Sequence, residues 1–236
     1  MIKTQNLTKN FDGLLAVDDL TFSVEPGEVL GFLGPNGAGK STSMRMIAGF
    51  ITPTSGTARI CGHDVTTDPI AAKTALGYLP EGAPLYGEMT VQAFLEFIAD
   101  LRSLEGERRK SRLDYVIGKL ELEAELAKPV ETLSKGFKRR VGLAHAIIHD
   151  PPVLILDEPT DGLDPVQKHQ VRTLISEIAR EKTIVISTHI LEEVDAVCTR
   201  ALIIARGKLV ADDTPAGLKS RAPCGRLEDV FRAVAA

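Results

Sequence analysis

No stretch of this 236-residue chain approaches the roughly eighteen consecutive apolar residues that a membrane-crossing helix needs, and Met1 to Asn6 lack the apolar core of a signal peptide. The chain itself is therefore expected not to cross a bilayer. Cysteine is scarce: Cys61, Cys198 and Cys224 are odd in number and unrelated in spacing, which suggests neither a disulfide framework nor a metal cluster and fits reduced, cytosolic thiols. An excess of positive charge is also missing. With a formal net charge of -4 and a pI near 5.8, the composition argues against a protein that wraps nucleic acid, so any phosphate it binds is bound locally. There is no internal repeat, low-complexity tract or long heptad array. What remains is the make-up of one large globular domain, 44% hydrophobic and 25% charged, with room for a subdomain.

Within it, the run Gly34-Pro35-Asn36-Gly37-Ala38-Gly39-Lys40-Ser41-Thr42 has the G-x-x-x-x-G-K-S spacing of a phosphate-binding loop. The glycines let backbone N-H groups turn inward, and the N-terminus of the following helix adds partial positive charge. Lys40 can reach β and γ phosphates, Ser41 offers an oxygen to Mg²⁺, and Thr42 is a further hydroxyl at the helix start. The context agrees with the motif. Val29 to Leu33 is a short apolar run of the buried-strand kind, and Met44, Ile47 and Ala48 follow at helical spacing before Gly49.

Residues 1 to about 33 read as strands and turns, Gly56 to Gly62 as another strand, and Asp68-Pro69 as the start of a short helix. Leu76 to Leu79 is a strand ending at Pro80. From Thr90 to about Ile148 the periodicity is helical, with Val91, Phe94, Leu95, Ile98 and Leu101 on one face and Leu113, Val116, Ile117 and Leu120 on another.

Val153 to Leu156 then forms a buried strand closed by Asp157-Glu158-Pro159. Alone, such a pair is a helix cap or a solvated turn. Beside a phosphate loop, a carboxylate at the C-terminal end of a parallel strand sits where open α/β sheets bind ligands, so Asp157 is a candidate to hold Mg²⁺ through water. Glu158 is the candidate to take a proton from attacking water. Thr183 to Ser187 is one more buried strand, and His189 follows it as a candidate γ-phosphate sensor. The run His189-Ile190-Leu191-Glu192-Glu193 nearly spells a zinc motif, but Glu193 stands where the second histidine is needed.

In this order the motifs resemble the nucleotide-binding subunit of ABC transporters over nearly the whole chain. Leu133-Ser134-Lys135-Gly136-Phe137 stands where that family has its L-S-G-G-Q signature, Asp161 to Asp164 where it has the D-loop, and His189 where it has the switch histidine. The resemblance implies an α/β P-loop NTPase fold of the ABC type over 1–220, with a small antiparallel β subdomain, a helical insertion near 82–147 and a short helical tail over 221–236. It implies an ATP hydrolase requiring ATP and Mg²⁺, with Lys40, Glu158 and His189 catalytic and Ser41, Asp157 and Glu81 around the metal. It further implies that ATP is sandwiched against Ser134, Lys135, Gly136 and Asp164 of a second copy or a homologous ATPase, and that Phe11 stacks on adenine; by itself, Phe11 reads equally as a core aromatic.

The sequence departs from the family in two places. Lys135 and Phe137 replace glycine and glutamine of the signature, and Glu81 replaces the switch glutamine. Lys135 is either an added cation near the partner's phosphate or a solvated lysine. Glu81 could still ligate Mg²⁺, although its charge would repel the γ phosphate. The Leu-Pro-Glu and Ser-Lys-Gly-Phe runs look like those of exporters with separate membrane subunits. The implied site of work is the cytoplasmic face of a membrane, with an integral membrane subunit received by Pro84, Leu85, Tyr86, Met89 and Phe94, which read equally as subdomain core. A soluble ABC ATPase outside transport, or a nucleotide-gated regulator that hydrolyses slowly, is the alternative.

Overall fold

A computed structural model describes residues 1–82, 84–221, 226, 229 and 230; the tail expected over 221–236, with Cys224 and the amphipathic piece from Leu227 to Phe231, lies outside them apart from Arg221, Arg226, Asp229 and Val230. Alternating burial along β1 (Ile2–Phe11) and β2 (Leu14–Val24) marks strands with one face on the core and one in water, and the two form an antiparallel hairpin. Then come β3 (Val29–Leu33), α1 (Lys40–Ile47), β4 (Ser55–Ile60), β5 (His63–Asp64), α2 (Pro69–Thr74) and β6 (Leu76–Leu79). Helices α3 (Val91–Leu101), α4 (Gly106–Lys119) and α5 (Lys135–Ile147) follow, and the chain returns through β7 (Val153–Asp157), α6 (Pro165–Ile178), β8 (Thr183–Ser187), α7 (Leu191–Val197), β9 (Arg200–Ala205), β10 (Lys208–Asp213) and α8 (Pro215–Ser220).

Two sheets result. Four strands pair antiparallel in the order β2-β1-β4-β5, and six pair in the order β10-β9-β3-β8-β7-β6, parallel except for the β10 edge. Strands β3, β7 and β8 are buried at every position, as continuous apolar runs require when both faces of a sheet are covered. One face packs with α1 and the antiparallel sheet through Phe22, Phe32, Met44 and Ile155; the other packs with α3, α5 and α6 through Phe94, Val141, Leu156 and Leu174.

The helical insertion holds together through α3, whose Thr90 N-cap hydroxyl accepts from the Ala93 amide at 3.1 Å while Val91, Phe94, Leu95 and Ile98 face inward. Phe94, read equally as groove lining and as subdomain core, is only 1% exposed, and Leu85 and Met89 pack on the same core. The reason is geometric: Phe94 falls on the inward stripe of α3, one turn from Ile98. A separate groove of about 300 Å³ runs between Phe50, Tyr78, Pro80 and Pro84, and Tyr86 is exposed. Of the basic run in α4, Arg109 pairs with Asp100 at 3.1 Å, and Arg112 donates to the Ile147 and Ile148 carbonyls.

Candidate functional site

The crevice forms where β3, β7 and β8 end side by side, because β3 lies between β8 and β9 while its own chain continues outward to β6 before returning. The loop after β3 wraps tightly. A β-carbon at Gly34 would fall 2.5 Å from the Ile204 carbonyl oxygen, and Gly39 caps α1 at φ 103 with Ala16 O 2.4 Å from where its β-carbon would be. The first N-H groups of α1 have no partner within the helix and face the same opening. Lys40, at the head of α1, donates to Gly34 O at 2.7 Å and Pro35 O at 3.1 Å, so its ammonium is held at the centre of the loop. Burial lowers its pKa, against the opposing pull of Glu158, Asp157 and Glu81.

Asp157 and Ser187 are register partners at the ends of β7 and β8, both buried, and Asp157 Oδ2 and Ser187 Oγ lack any hydrogen-bond partner. A buried carboxylate oxygen and a hydroxyl on register-paired strand ends, both without a partner among the described residues, are what a hydrated cation or a bound water would satisfy, so the residues present fit Mg²⁺. Glu158 follows at φ 52, a left-handed conformation that turns its side chain out of the strand direction, and its amide donates to Ser187 O at 2.8 Å. Its Oε1 lies 2.9 Å from His189 Nδ1. Burial raises the Glu158 pKa above the usual carboxylate range, and the histidine opposes that shift.

Glu158, Asp161 and His189 line a cleft of about 390 Å³ with Gly34, Pro35, Asn36 and Glu81. A second cleft of about 480 Å³ holds Phe11, Leu14, Asn36, Gly37, Gly39, Lys40, Ser41 and Thr42, and Glu81 borders both. Ala38 is buried beneath the loop. Phe11 is 42% exposed with Lys9 Nζ 4.9 Å from its ring centre, so it is a surface aromatic beside the loop and not part of the core.

The signature segment lies at the head of α5. Ser134 is its N-cap, accepting from the Phe137 amide at 3.2 Å, and Gly136 is buried, with space for a β-carbon closed by Gln167 Oε1 at 3.0 Å and Gly162 O at 3.1 Å. Lys135 is largely exposed, as a solvated lysine is, and its ammonium is 2.8 Å from Asp161 Oδ2, joining signature to D-loop within one chain. The Asp164 carboxylate is engaged as the N-cap of α6, accepting from the Gln167 amide at 2.9 Å in a capping box.

One residue escaped sequence reasoning. Arg139, buried in α5, donates to the carbonyls of Pro80, Asp157 and Glu158, fastening the loop that carries Glu81 to the end of β7. Its only trace in the sequence is a run of three basic residues, Lys138-Arg139-Arg140, on a helix that from Val141 onward is apolar but for His145.

A mainly parallel sheet with a glycine loop at the head of α1 and carboxylates at neighbouring strand ends defines a P-loop nucleotide-binding domain. Residues 17–161 match the family model described as ABC transporter. The chain is 36% identical over 222 residues to the Probable multidrug ABC transporter ATP-binding protein YbhF of Escherichia coli (strain K12), covering 94% of this chain and 38% of that protein. It is 38% identical over 215 residues to the Nod factor export ATP-binding protein I of Burkholderia pseudomallei (strain 1710b), covering 91% of this chain and 71% of that one. A solved structure described as the ATP binding subunit of an ABC transporter superposes with a TM-score of 0.92 at 29% identity, over 99% of both chains. This chain belongs to the ABC transporter family.

Proposed function

We propose that this chain is the ATP-hydrolysing subunit of an export machine whose membrane-crossing part is a separate chain. The observation that carries the hydrolytic half is the Glu158-His189 pair, 2.9 Å apart and in the same cleft as Gly34, Pro35 and Asn36. The loop amides and Lys40 stabilise phosphate charge, Lys40 exchanging its two loop carbonyls for phosphate oxygens. Glu158, its pKa raised by burial, accepts the proton of an attacking water, and His189 holds the γ phosphate and the Glu158 carboxylate in one geometry. Ser41 and Asp157, with Glu81 at the rim, would hold Mg²⁺. When bound, that ion neutralises charge on the phosphate oxygens.

Ser134, Lys135, Gly136 and Asp164 are assigned to the ATP of a second copy of the chain or a homologous ATPase, and Phe11 to the adenine. The exposed Ser134 hydroxyl and the head of α5 provide a donor and a helix N-terminus for that contact. The groove between Phe50, Tyr78 and Pro84 is assigned to the membrane subunit, and the chain itself to the cytoplasmic face of the membrane. Among the described residues no helix is long and apolar enough to cross a membrane. Export is supported by the name of the Nod factor relative. The domain itself is drawn over 1–220, with its helical part inserted near 82–147.

Mg²⁺-dependent phosphate release by the purified chain, lost in Lys40→Ala, is the expected result; release that survives in Lys40→Ala rejects the site. Co-purification with a membrane protein after detergent extraction is expected as well, and a chain found only in the soluble fraction rejects the transport role. Glu81 favours a second reading, a slowly hydrolysing regulator, because it adds a third carboxylate near Lys40. Under that reading Glu81→Gln speeds phosphate release at least severalfold; an unchanged rate removes it.

A further inference from the structure

Glu193 entered the sequence as the residue that spoils a zinc motif, yet in the fold it is one of the most enclosed charges of the chain, 2% exposed in the first turn of α7. Both of its carboxylate oxygens are engaged. Oε2 accepts from Thr188 Oγ1 at 2.8 Å, and Oε1 accepts from Thr160 Oγ1, with Arg172 Nη2 of α6 3.8 Å away. Thr188 precedes His189 directly, and Thr160 follows Glu158 by two residues. From these contacts we infer that Glu193 is a positioning residue: it ties the loop carrying Glu158 to the loop carrying His189, so that the two side chains meet across the crevice.

The proton inventory calls for a carboxylate here. Thr188 Oγ1 already accepts from the Ile190 amide at 3.1 Å, so its single proton is directed to Glu193. Arg172 can only donate, and the Thr160 hydroxyl supplies a third donor. An acceptor-only group takes both hydroxyl protons and offers Arg172 a counter-charge, and the first turn of a helix is a favourable place for its charge. A glutamine would turn an N-H₂ toward one of the hydroxyls and leave Arg172 without a counter-charge. Neither Thr160, Thr188 nor Arg172 borders the two clefts, so the network acts on them only through Glu158 and His189.

The role depends on the hydrolytic function proposed above, and the test keeps the two apart. In Glu193→Gln, kcat for Mg·ATP is expected to fall by about 10- to 100-fold while KM stays within about threefold, since displacement of catalytic groups by around 1 Å costs rate far more than binding. Introduced into a His189→Ala background, the same change is expected to cost under about threefold, because a misplaced histidine cannot be lost twice. Nitrogen-15 NMR of the histidine rings, with His189 assigned by His189→Ala, is expected to show the His189 signals displaced in Glu193→Gln and in Thr188→Val. An undiminished kcat, an equal loss in both backgrounds, or an unmoved His189 signal overturns the positioning role. Thr188→Val, which deletes one hydroxyl, carries the same three readouts if Glu193→Gln does not fold. A wild-type chain that releases no phosphate overturns the hydrolytic function instead, and the ring signals alone then decide for or against Glu193.

Discussion

The two ends of the parallel sheet differ in the charges that surround their buried polar groups. At the N-terminal ends of β6 and β7 lies the larger cavity, about 760 Å³, bordered by Arg102, His149, Asp150 and Pro151. There, charged side chains are bonded to the chain itself, while the buried His149 Nδ1 and Thr183 Oγ1 have no hydrogen-bond partner among the described residues. Arg102 donates to Lys73 O at 2.9 Å, His149 Nε2 bonds Leu76 O at 3.1 Å, and Lys182 holds Asp150 at 2.8 Å and Pro151 O at 2.7 Å. At the C-terminal ends the clefts are smaller, yet Asp157 Oδ2 and Ser187 Oγ have no partner, Glu158 sits at a positive φ, and an ammonium is held by its own loop. Volume therefore does not locate the chemistry. Orphaned polar atoms occur at both ends, so what marks the chemistry is an orphaned carboxylate oxygen in a cluster of opposed charges, Lys40 against Glu158, Asp157 and Glu81.

That contrast can be broken or sharpened by substitution at either end. The largest effect is expected at Glu158: Glu158→Gln should lower kcat by about 10²- to 10⁴-fold, roughly 3–5 kcal/mol of barrier, with nucleotide affinity retained in equilibrium titration. Because burial raises the Glu158 pKa, the wild-type rate should climb with pH through a limb lying above the ordinary carboxylate range, the base being protonated and idle below it. A limb at ordinary carboxylate pH would break the contrast.

Next comes Arg139→Met, which strips a donor from the carbonyls of Pro80, Asp157 and Glu158. Urea unfolding should show about 2–5 kcal/mol less stability, the size expected when buried acceptors and a buried charge site lose their partner.

At the opposite end, burial brings the His149 pKa down to about 3 from 6.5, and that of His145 to about 4. Between the folded and unfolded values only the unfolded chain binds the proton. Stability is therefore complete above about pH 6.5 and lost as pH falls through that value toward 3. Thermal unfolding at pH 7 and pH 5 should show a drop in Tm that is smaller in His149→Gln. The smallest effect belongs to Lys135→Ala: its pairing with Asp161 is 72% exposed on the lysine side, so about 0–1 kcal/mol of stability is at stake in the same urea assay.

Legibility in the sequence followed contiguity. Residues 34–42 act through one loop and its helix, so spacing alone exposed them, and the strand ends at Asp157 and Ser187 were visible as the limits of apolar runs. Arg139 and Glu193 were not visible as tethers. Each works through carbonyls or hydroxyls 18 to 59 residues away for the first and up to 33 for the second, and a one-dimensional pattern carries no such pairing. Phe94 shows the opposite limit, where the sequence left groove lining and core equally open and the residue is core because its position on α3 falls on the inward stripe.

By itself, then, the sequence determined the local chemistry: which loop can cradle phosphate, which runs become buried strands, which residue caps each of α3, α5 and α6, since these depend on neighbours within a few positions. Only the tertiary structure decided that Glu158 meets His189, that Lys135 pairs with Asp161, and that Arg139 and Glu193 hold the loops between them. Those contacts arise from strand order, which sets β3, β8 and β7 side by side, and strand order is settled by the packing of two cores on one sheet, a property of the whole chain and of no segment in it.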